Sequence, residues 1–191
     1  MVIANSRGPE TLAGLVAELG PLARAARPAE AAEAGDFVVV AVPLKLVSDM
    51  PVEQLAGKIV LDTNNYMPWR DGRYAVIDAG EKTEHELRQE QLPTSKVAKA
   101  FTHIQAPRLF LSAKPSGTPD RHALSVSSDY PEAVELVTRL YDQFGFDTAD
   151  NSPLSASWRS GPGQPAWHAH EHQTRAELVA NLAKAKPLTT R

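Results

Sequence analysis

The chain of 191 residues contains no cysteine, which excludes disulfides, thiolate metal centres and cysteine nucleophiles. That absence suits a cytoplasmic protein. Long apolar runs are missing as well: the longest, Phe37 to Leu44, is far too short to span a bilayer. Met1 leads directly into strand-like sequence, without the charged segment and cleavage site of an export signal. Nor does one sign of charge prevail, since 20 Lys and Arg face 23 Asp and Glu along the whole length. There is no sustained basic face for nucleic acid and no acidic tail, so neither nucleic acid nor membrane is expected as a partner. Small-molecule chemistry becomes the better expectation.

What is present is enough apolar residue, 42%, for one full core, with no repeat or heptad to divide it. Val2-Ile3-Ala4 reads as a short strand, and Asn5-Ser6-Arg7-Gly8-Pro9 as a turn with proline placed to start a helix. Leu12, Leu15, Val16 and Leu19 then form one helical stripe that is expected to pack on a sheet, ending at Gly20-Pro21. Ala29 to Ala34 is helix-prone. Phe37 to Val42 is apolar without alternation, the pattern of a parallel strand covered on both faces. Lys58 to Asp62 and Lys96 to Phe101 are further strands, the second preceded by a charged helix from Glu81 to Glu90. Beyond the loop 114–119, His122 to Ser127 reads as a strand and Pro131 to Phe144 as a helix closed by Gly145. An irregular connection from Asn151 to Gln173 leads to a last helix from about Thr174 to Ala185. Strands separated by helices mean βαβ units, hence an α/β, Rossmann-like, doubly wound and mostly parallel sheet with a small C-terminal α+β extension.

The first turn carries chemistry. Where a Rossmann fold passes the adenosine ribose, a carboxylate selects NAD and a cation accommodates the 2′-phosphate of NADP. That place holds Asn5, Ser6 and Arg7, with no acid among them. Arg7 offers a planar fork of donors, Ser6 a hydroxyl, and the following helix start its N–H groups. The turn argues for NADP over NAD; the plainer reading is a strand-to-helix turn with a solvated arginine. The strand ending Val40-Ala41-Val42-Pro43 leaves room for a flat ring over its terminus, and an ordinary buried strand explains it equally.

A complete dinucleotide fold has a strand, a G-x-G-x-x-G loop and a helix ahead of this turn, and the sequence holds none of them. The fold is therefore expected to be N-terminally truncated, its sheet lacking a central strand. Unpaired edges invite another chain, so a homodimer or a rearranged sheet is expected to close the gap. Residues 1–115 are assigned to the NADP-binding core and 116–191 to a strand-helix extension completing the same compact unit.

Val2 to Glu10 with its Asn-Ser-Arg-Gly-Pro-Glu run, the Val-Ala-Val-Pro strand, Leu61-Asp62-Thr63-Asn64-Asn65-Tyr66, Lys99-Ala100-Phe101, the region from Gly145-Phe146-Asp147 to Pro153-Leu154, Ser157-Trp158-Arg159 and the Pro162 to Trp167 segment form an ordered set. Together they resemble the NADPH-dependent reductases of the deazaflavin coenzyme F420. Thr102 departs from the asparagine common after Lys-Ala-Phe, and Ser152 from a usual glycine. The resemblance implies hydride transfer between NADPH and the deazaflavin, with NADP(H) as cofactor and coenzyme F420 as co-substrate. By resemblance, Asn5, Ser6 and Arg7 lie at the 2′-phosphate, Ala41, Val42 and Pro43 line the nicotinamide side, and Asn64 and Asn65 lie near the facing coenzyme. No catalytic nucleophile and no metal ligand is assigned, because alignment of two rings supplies much of the rate. A catalytically silent NADP-binding protein, or a reductase with another acceptor, remains the alternative.

Other clusters have plainer explanations. His168, His170 and His172 alternate as an extended metal site would, although adventitious binding accounts for them better. His103, just after Lys99-Ala100-Phe101, could approach a ligand at the sheet edge, although a loop histidine without a role explains it better. Asp36 and Asp62 read as turn residues at strand edges, not a carboxylate pair. Trp69, Trp158 and Trp167 fit packing in the irregular region or a subunit contact.

Overall fold

Short β-branched runs bounded by glycine, proline and asparagine make short strands, and the helix-prone segments between them return the chain to the same sheet edge. The computed structural model describes residues 1–167 and 172–187. Its first half runs β1 (Val2–Ile3), α1 (Ala13–Leu19), β2 (Arg24–Ala25), α2 (Pro28–Ala34), β3 (Phe37–Val40), α3 (Val52–Leu55) and β4 (Ile59–Asp62). Then follow α4 (Pro68–Asp71), α5 (Ala75–Asp78), α6 (Glu84–Gln91), β5 (Lys96–Lys99) and α7 (Ala106–Leu111). The last part holds β6 (Ala123–Ser128), α8 (Pro131–Gln143), β7 (Asp147–Asp150) and α9 (Arg175–Ala183). Among the described residues no helix is long and apolar enough to cross a membrane.

Five strands form one sheet in the order β3-β4-β5-β6-β7. β3, β4 and β5 are parallel, with Val40 opposite Asp62 and Asp62 opposite Lys99. β6 is antiparallel to β5 and parallel to β7, so the C-terminal strands extend the same sheet. This is the expected α/β, mostly parallel architecture. Alternation along the strands sorts the core into two faces. Leu61, Ala98, Leu124 and Val126 pack with Val137 and Tyr141 of α8. Val40, Val60 and Val97 face the other way, with Ala32 of α2, Leu55 of α3 and Leu92 after α6.

The helix ends follow local chemistry. Thr83 and Glu86 form a capping box at the start of α6, and Thr174 and Glu177 one at the start of α9. Lys58 Nζ donates to the carbonyls of Ala32, Glu33 and Gly35 at 2.7, 2.7 and 2.6 Å, closing the exposed end of α2 onto the sheet. Gly145 follows α8 at φ +90°, where a Cβ would sit 2.7 Å from the Lys114 nitrogen, so both conformation and space require glycine.

Two expectations are corrected at the N-terminal end. The stripe on residues 12–19 does not pack on a sheet: only Leu12 is buried, and Leu15 and Leu19 are 43% and 42% exposed. The reason lies beneath it, since β1 pairs with β2 alone in a separate two-stranded sheet. Such a ribbon is too small to cover a helix. β3 is likewise not covered on both faces, and Val39 stands 51% exposed. The sheet thus divides between β1 and β3, the place a further strand occupies in the doubly wound order.

Candidate functional site at the carboxyl edge of the sheet

Parallel strands deliver the segments that follow them to one edge, where ligands of open α/β sheets bind. Here β3 leads to Ala41-Val42-Pro43, β4 to Thr63-Asn64-Asn65 and β5 to Ala100-Phe101-Thr102. Thr63 ties the first two segments, donating from both its N–H and its hydroxyl to the Val40 carbonyl at 3.0 and 3.2 Å. Asn65 Nδ2 donates to the Thr102 carbonyl at 2.8 Å and ties the second to the third. The residues assigned to the nicotinamide side and to the facing coenzyme are therefore neighbours.

Arg70 of α4 holds the Asn64–Asn65 turn from above, donating to Asn64 Oδ1 at 3.1 Å and to the Asn65 carbonyl at 2.6 Å. Its guanidinium is itself held by Asp71, with N···O contacts of 3.0 and 2.7 Å. Burial would raise the pKa of Asp71, but the Arg70 hydrogen bonds and the Met67 and Lys45 N–H groups hold it below the ordinary carboxylate value. The Lys45 contact brings in the segment after Pro43. Loops after β3, β4 and β5 are thus stitched into one unit.

Beneath the turn lies a buried charge cluster that the sequence reading missed. Asp62 is not a strand-edge turn residue: its side chain is wholly buried and it accepts from His85 Nδ1 and Arg88 Nε, each at 3.3 Å, and from the Asn64 N–H at 3.1 Å. Burial pushes its pKa up, yet the His85 hydrogen bond, the His85 and Arg88 charges and the Asn64 N–H together bring it below the ordinary value. Lys99 is also fully buried and donates to the Ser157 carbonyl at 2.8 Å. Burial lowers its pKa, partly opposed by Glu84 and Asp62. The signal was available, since His85 and Arg88 stand i, i+3 on α6 and share a face.

His103 is corrected too. It is 1% exposed, and its Nε2 accepts from the Ser125 N–H at 2.8 Å, so it is a core residue and not an idle loop histidine. Phe101, two residues before it, adopts φ +58°, a conformation a bulky residue rarely takes. Several polar atoms around this edge are buried without a hydrogen-bond partner: Asn64 Nδ2, Asn65 Oδ1 and Thr102 Oγ1. Each such atom costs about 1–3 kcal/mol relative to a satisfied one. Trp69, on α4, is 83% exposed and packs in no core; Trp158 and Trp167 are partly buried. His168 and His170 lie outside the described residues, and His172 places its ring 5.4 Å from His122. Among the described residues no group of three or more metal-ligating side chains comes together.

The Asn5-Ser6-Arg7 turn follows β1 and belongs to the two-stranded sheet. Asn5 Oδ1 accepts from the Arg7 and Gly8 N–H groups, each at 3.0 Å, and its Nδ2 donates to Thr11 Oγ1 at 2.9 Å. Its amide shapes the turn. Ser6 and Arg7 are exposed. The Glu10 carboxylate folds over the turn, where a Cβ on Gly8 would lie 2.4 Å from Oε1.

Residues 1–66, from β1 through the Asn64–Asn65 turn, match the family described as NADP oxidoreductase, coenzyme F420-dependent. Over those residues the chain is similar to this family. "Putative protein YjhV" of Escherichia coli (strain K12) is 34% identical over 53 residues, 28% of this chain and 39% of that protein. The chain therefore matches well under half the length of that curated relative. Among solved structures, the hypothetical protein SMa0349 from Sinorhizobium meliloti is 29% identical with a TM-score of 0.73, covering 91% of this chain and 82% of that one. The crystal structure of "a putative f420 dependent nadp-reductase from arthrobacter sp. fb24" has a TM-score of 0.68 at 23% identity, covering 82% and 75%, and shows the shared fold.

Proposed function

We propose that the protein is an oxidoreductase that transfers hydride between NADPH and the deazaflavin coenzyme F420. The observation that carries the reading is the stitched edge after β3, β4 and β5, which sits in a chain whose first turn offers Ser6 and Arg7 to a phosphate. Once bound, the two cofactors supply the chemistry themselves, exchanging hydride between the nicotinamide C4 and the deazaflavin C5. The chain's residues bind and align. Ser6 and Arg7 hold the 2′-phosphate through their side chains, Asn5 shapes their turn by accepting from the Arg7 and Gly8 N–H groups, Ala41, Val42 and Pro43 give one ring a flat apolar wall, and Asn64 and Asn65 hold the other side. No residue is asked to act as acid or base. The unpartnered amide atoms at Asn64 and Asn65 fit a polar ring edge, which supports this arrangement.

The divided sheet favours a second reading, an NADP-binding protein without turnover, because the adenosine turn and the ring edge belong to separate sheets. NADPH absorbance followed with and without coenzyme F420 separates the two. Consumption of NADPH only when the deazaflavin is present is the expected result; NADPH binding without consumption supports the second reading, and no binding of NADPH overturns both. The proposal includes a homodimer, since β3 pairs within its sheet on one side only and leaves Val39 exposed. Light scattering on the eluted protein tests that, with a monomer at micromolar concentration as the contrary outcome.

A further inference from the structure

We infer that Arg27, just past the end of β2, is a second cation for the 2′-phosphate of NADPH and closes with Arg7 a clamp that selects the phosphorylated nucleotide. The inference rests on the proposed NADPH reading and adds a residue from a different strand to it.

Two parallel strands deliver their ends to the same edge. β1 and β2 pair with Val2 opposite Arg24 and Ile3 opposite Ala25, and the Ala26 N–H donates to the Ile3 carbonyl at 2.9 Å as the ladder closes. Two residues further along the same register, Arg27 stands beside Asn5, roughly 5 Å away at ordinary strand spacing. Arg27 keeps a strand conformation, with φ −73° and ψ 156°. Pro28 disfavours a helical conformation in the residue before it, and Glu30 Oε2 accepts from the Arg27 N–H at 3.0 Å, so that backbone is fixed from both sides. Asn5 is also the hub of the first turn, where its Oδ1 accepts from the Arg7 and Gly8 N–H groups and folds Arg7 back over it. Ala26 is 3% exposed and turns into the molecule, whereas Arg27, Ser6 and Arg7 are all exposed.

Charge makes the second cation necessary. A phosphate monoester carries about 1.5–2 negative charges near neutral pH, more than one guanidinium offsets. Residues 1–36 contain three Arg and no Lys. Arg24 stands opposite Val2 at the amino end of the ribbon, where the Met1 ammonium also donates to the Leu22 carbonyl at 2.7 Å. Arg7 and Arg27 are the pair at the carboxyl end, one from each strand, and together they outweigh the Glu10 carboxylate that lies over Gly8. Two planar forks from neighbouring strands offer charge-assisted hydrogen bonds to two sides of one phosphate. NADH has only a hydroxyl at that position, so both contacts fall on the group that separates the two nucleotides.

The test is fluorescence titration of NADPH and NADH on the full chain and on Arg27→Gln, Arg27→Lys and Arg24→Gln. Arg27→Gln removes the charge and keeps a polar side chain; Arg24→Gln makes the same change in net charge at the other end of the ribbon. The expected result is that Arg27→Gln weakens NADPH by about tenfold and leaves NADH unchanged. Arg27→Lys, which keeps the charge without the fork, recovers part of that loss. Arg24→Gln changes neither nucleotide. The deficit of Arg27→Gln narrows in high salt, because exposed charges are screened. Equal weakening of NADPH and NADH by Arg27→Gln puts the side chain on the adenosine that both share and overturns the inference. So does an unchanged NADPH affinity in Arg27→Gln, or an equal loss in Arg24→Gln. In these three outcomes NADPH binding by the unaltered chain leaves the reductase reading standing. Failure of the unaltered chain to bind NADPH overturns both.

Discussion

Tyr141 and Phe101 meet twice. The Phe101 N–H donates to the Tyr141 hydroxyl at 2.9 Å, and the two rings stand edge to face with centroids 4.8 Å apart. The hydroxyl passes its own proton on to the Ser125 carbonyl at 3.0 Å. Burial pushes the Tyr141 pKa well above the ordinary phenol value, partly opposed by the Phe101 N–H, so the group stays a neutral donor. A helix of the C-terminal part thereby holds the left-handed Phe101 at the end of β5, one residue from the Thr102 carbonyl that Asn65 grips.

Tyr141→Phe keeps the ring and deletes the bridge. It leaves the Phe101 N–H and the Ser125 carbonyl to lose a partner, for an expected loss of about 1–3 kcal/mol. Urea unfolding monitored by circular dichroism measures this, and a midpoint equal to that of the unaltered protein counts against the bridge.

Asp62→Asn removes the carboxylate from the buried cluster and leaves its cations in place. His85 and Arg88 on α6, and Lys99 nearby on β5, would lose the carboxylate that compensates them, at an expected cost of about 3–5 kcal/mol. The direction with pH follows from the lowered carboxyl. A folded-state pKa below the unfolded value of 3.8 means that the contribution of Asp62 is present above 3.8 and is lost as the solution is acidified through the folded value. Acid titrations of stability are expected to show that fall in the unaltered chain and not in Asp62→Asn.

His122 makes a separate expectation at milder pH. Burial, with repulsion from His172, lowers its pKa from 6.5 to about 4, while its Nδ1 accepts from the Gln173 N–H at 3.0 Å. Between those two values the unfolded chain binds a proton that the folded chain refuses, so stability falls as pH drops from 6.5 towards 4. His122→Asn keeps an acceptor for Gln173 and does not titrate. Its melting temperature is expected to vary less over that window, and an identical profile for the two proteins refutes the assignment.

These residues also mark how far the sequence could be read. Strands β3 and β4 were legible because apolar, largely β-branched runs lie between turn residues, and α8 because Val134, Val137, Leu140 and Tyr141 repeat at helical spacing. β7 escaped notice: Asp147-Thr148-Ala149-Asp150 has no apolar run, and pairing with β6 makes it a strand. The Asn64–Asn65 turn was found through its resemblance, but its grip by Arg70 and Thr102 depends on contacts across several loops that no local pattern encodes. The α1 stripe misled for the opposite reason. Its periodicity is sound, yet the surface that would cover it is a two-stranded ribbon.

The first turn offers the sharpest test of cofactor choice. Arg7 is exposed and its guanidinium is available to a phosphate, whereas the Glu10 carboxylate lies over the same turn and repels one. Arg7→Ala is expected to weaken NADPH by about tenfold through loss of one charge-assisted contact, with little effect on NADH, which lacks the 2′-phosphate. Glu10→Gln keeps the shape and removes the charge, so NADPH binding is expected to tighten by a few-fold, an effect that fades in high salt as exposed charges are screened. Fluorescence titration of both nucleotides on both variants reads the ratio directly. Parallel changes for NADPH and NADH would mean that the turn supports the fold without reading the phosphate, because only a contact to the 2′-phosphate can separate the two nucleotides.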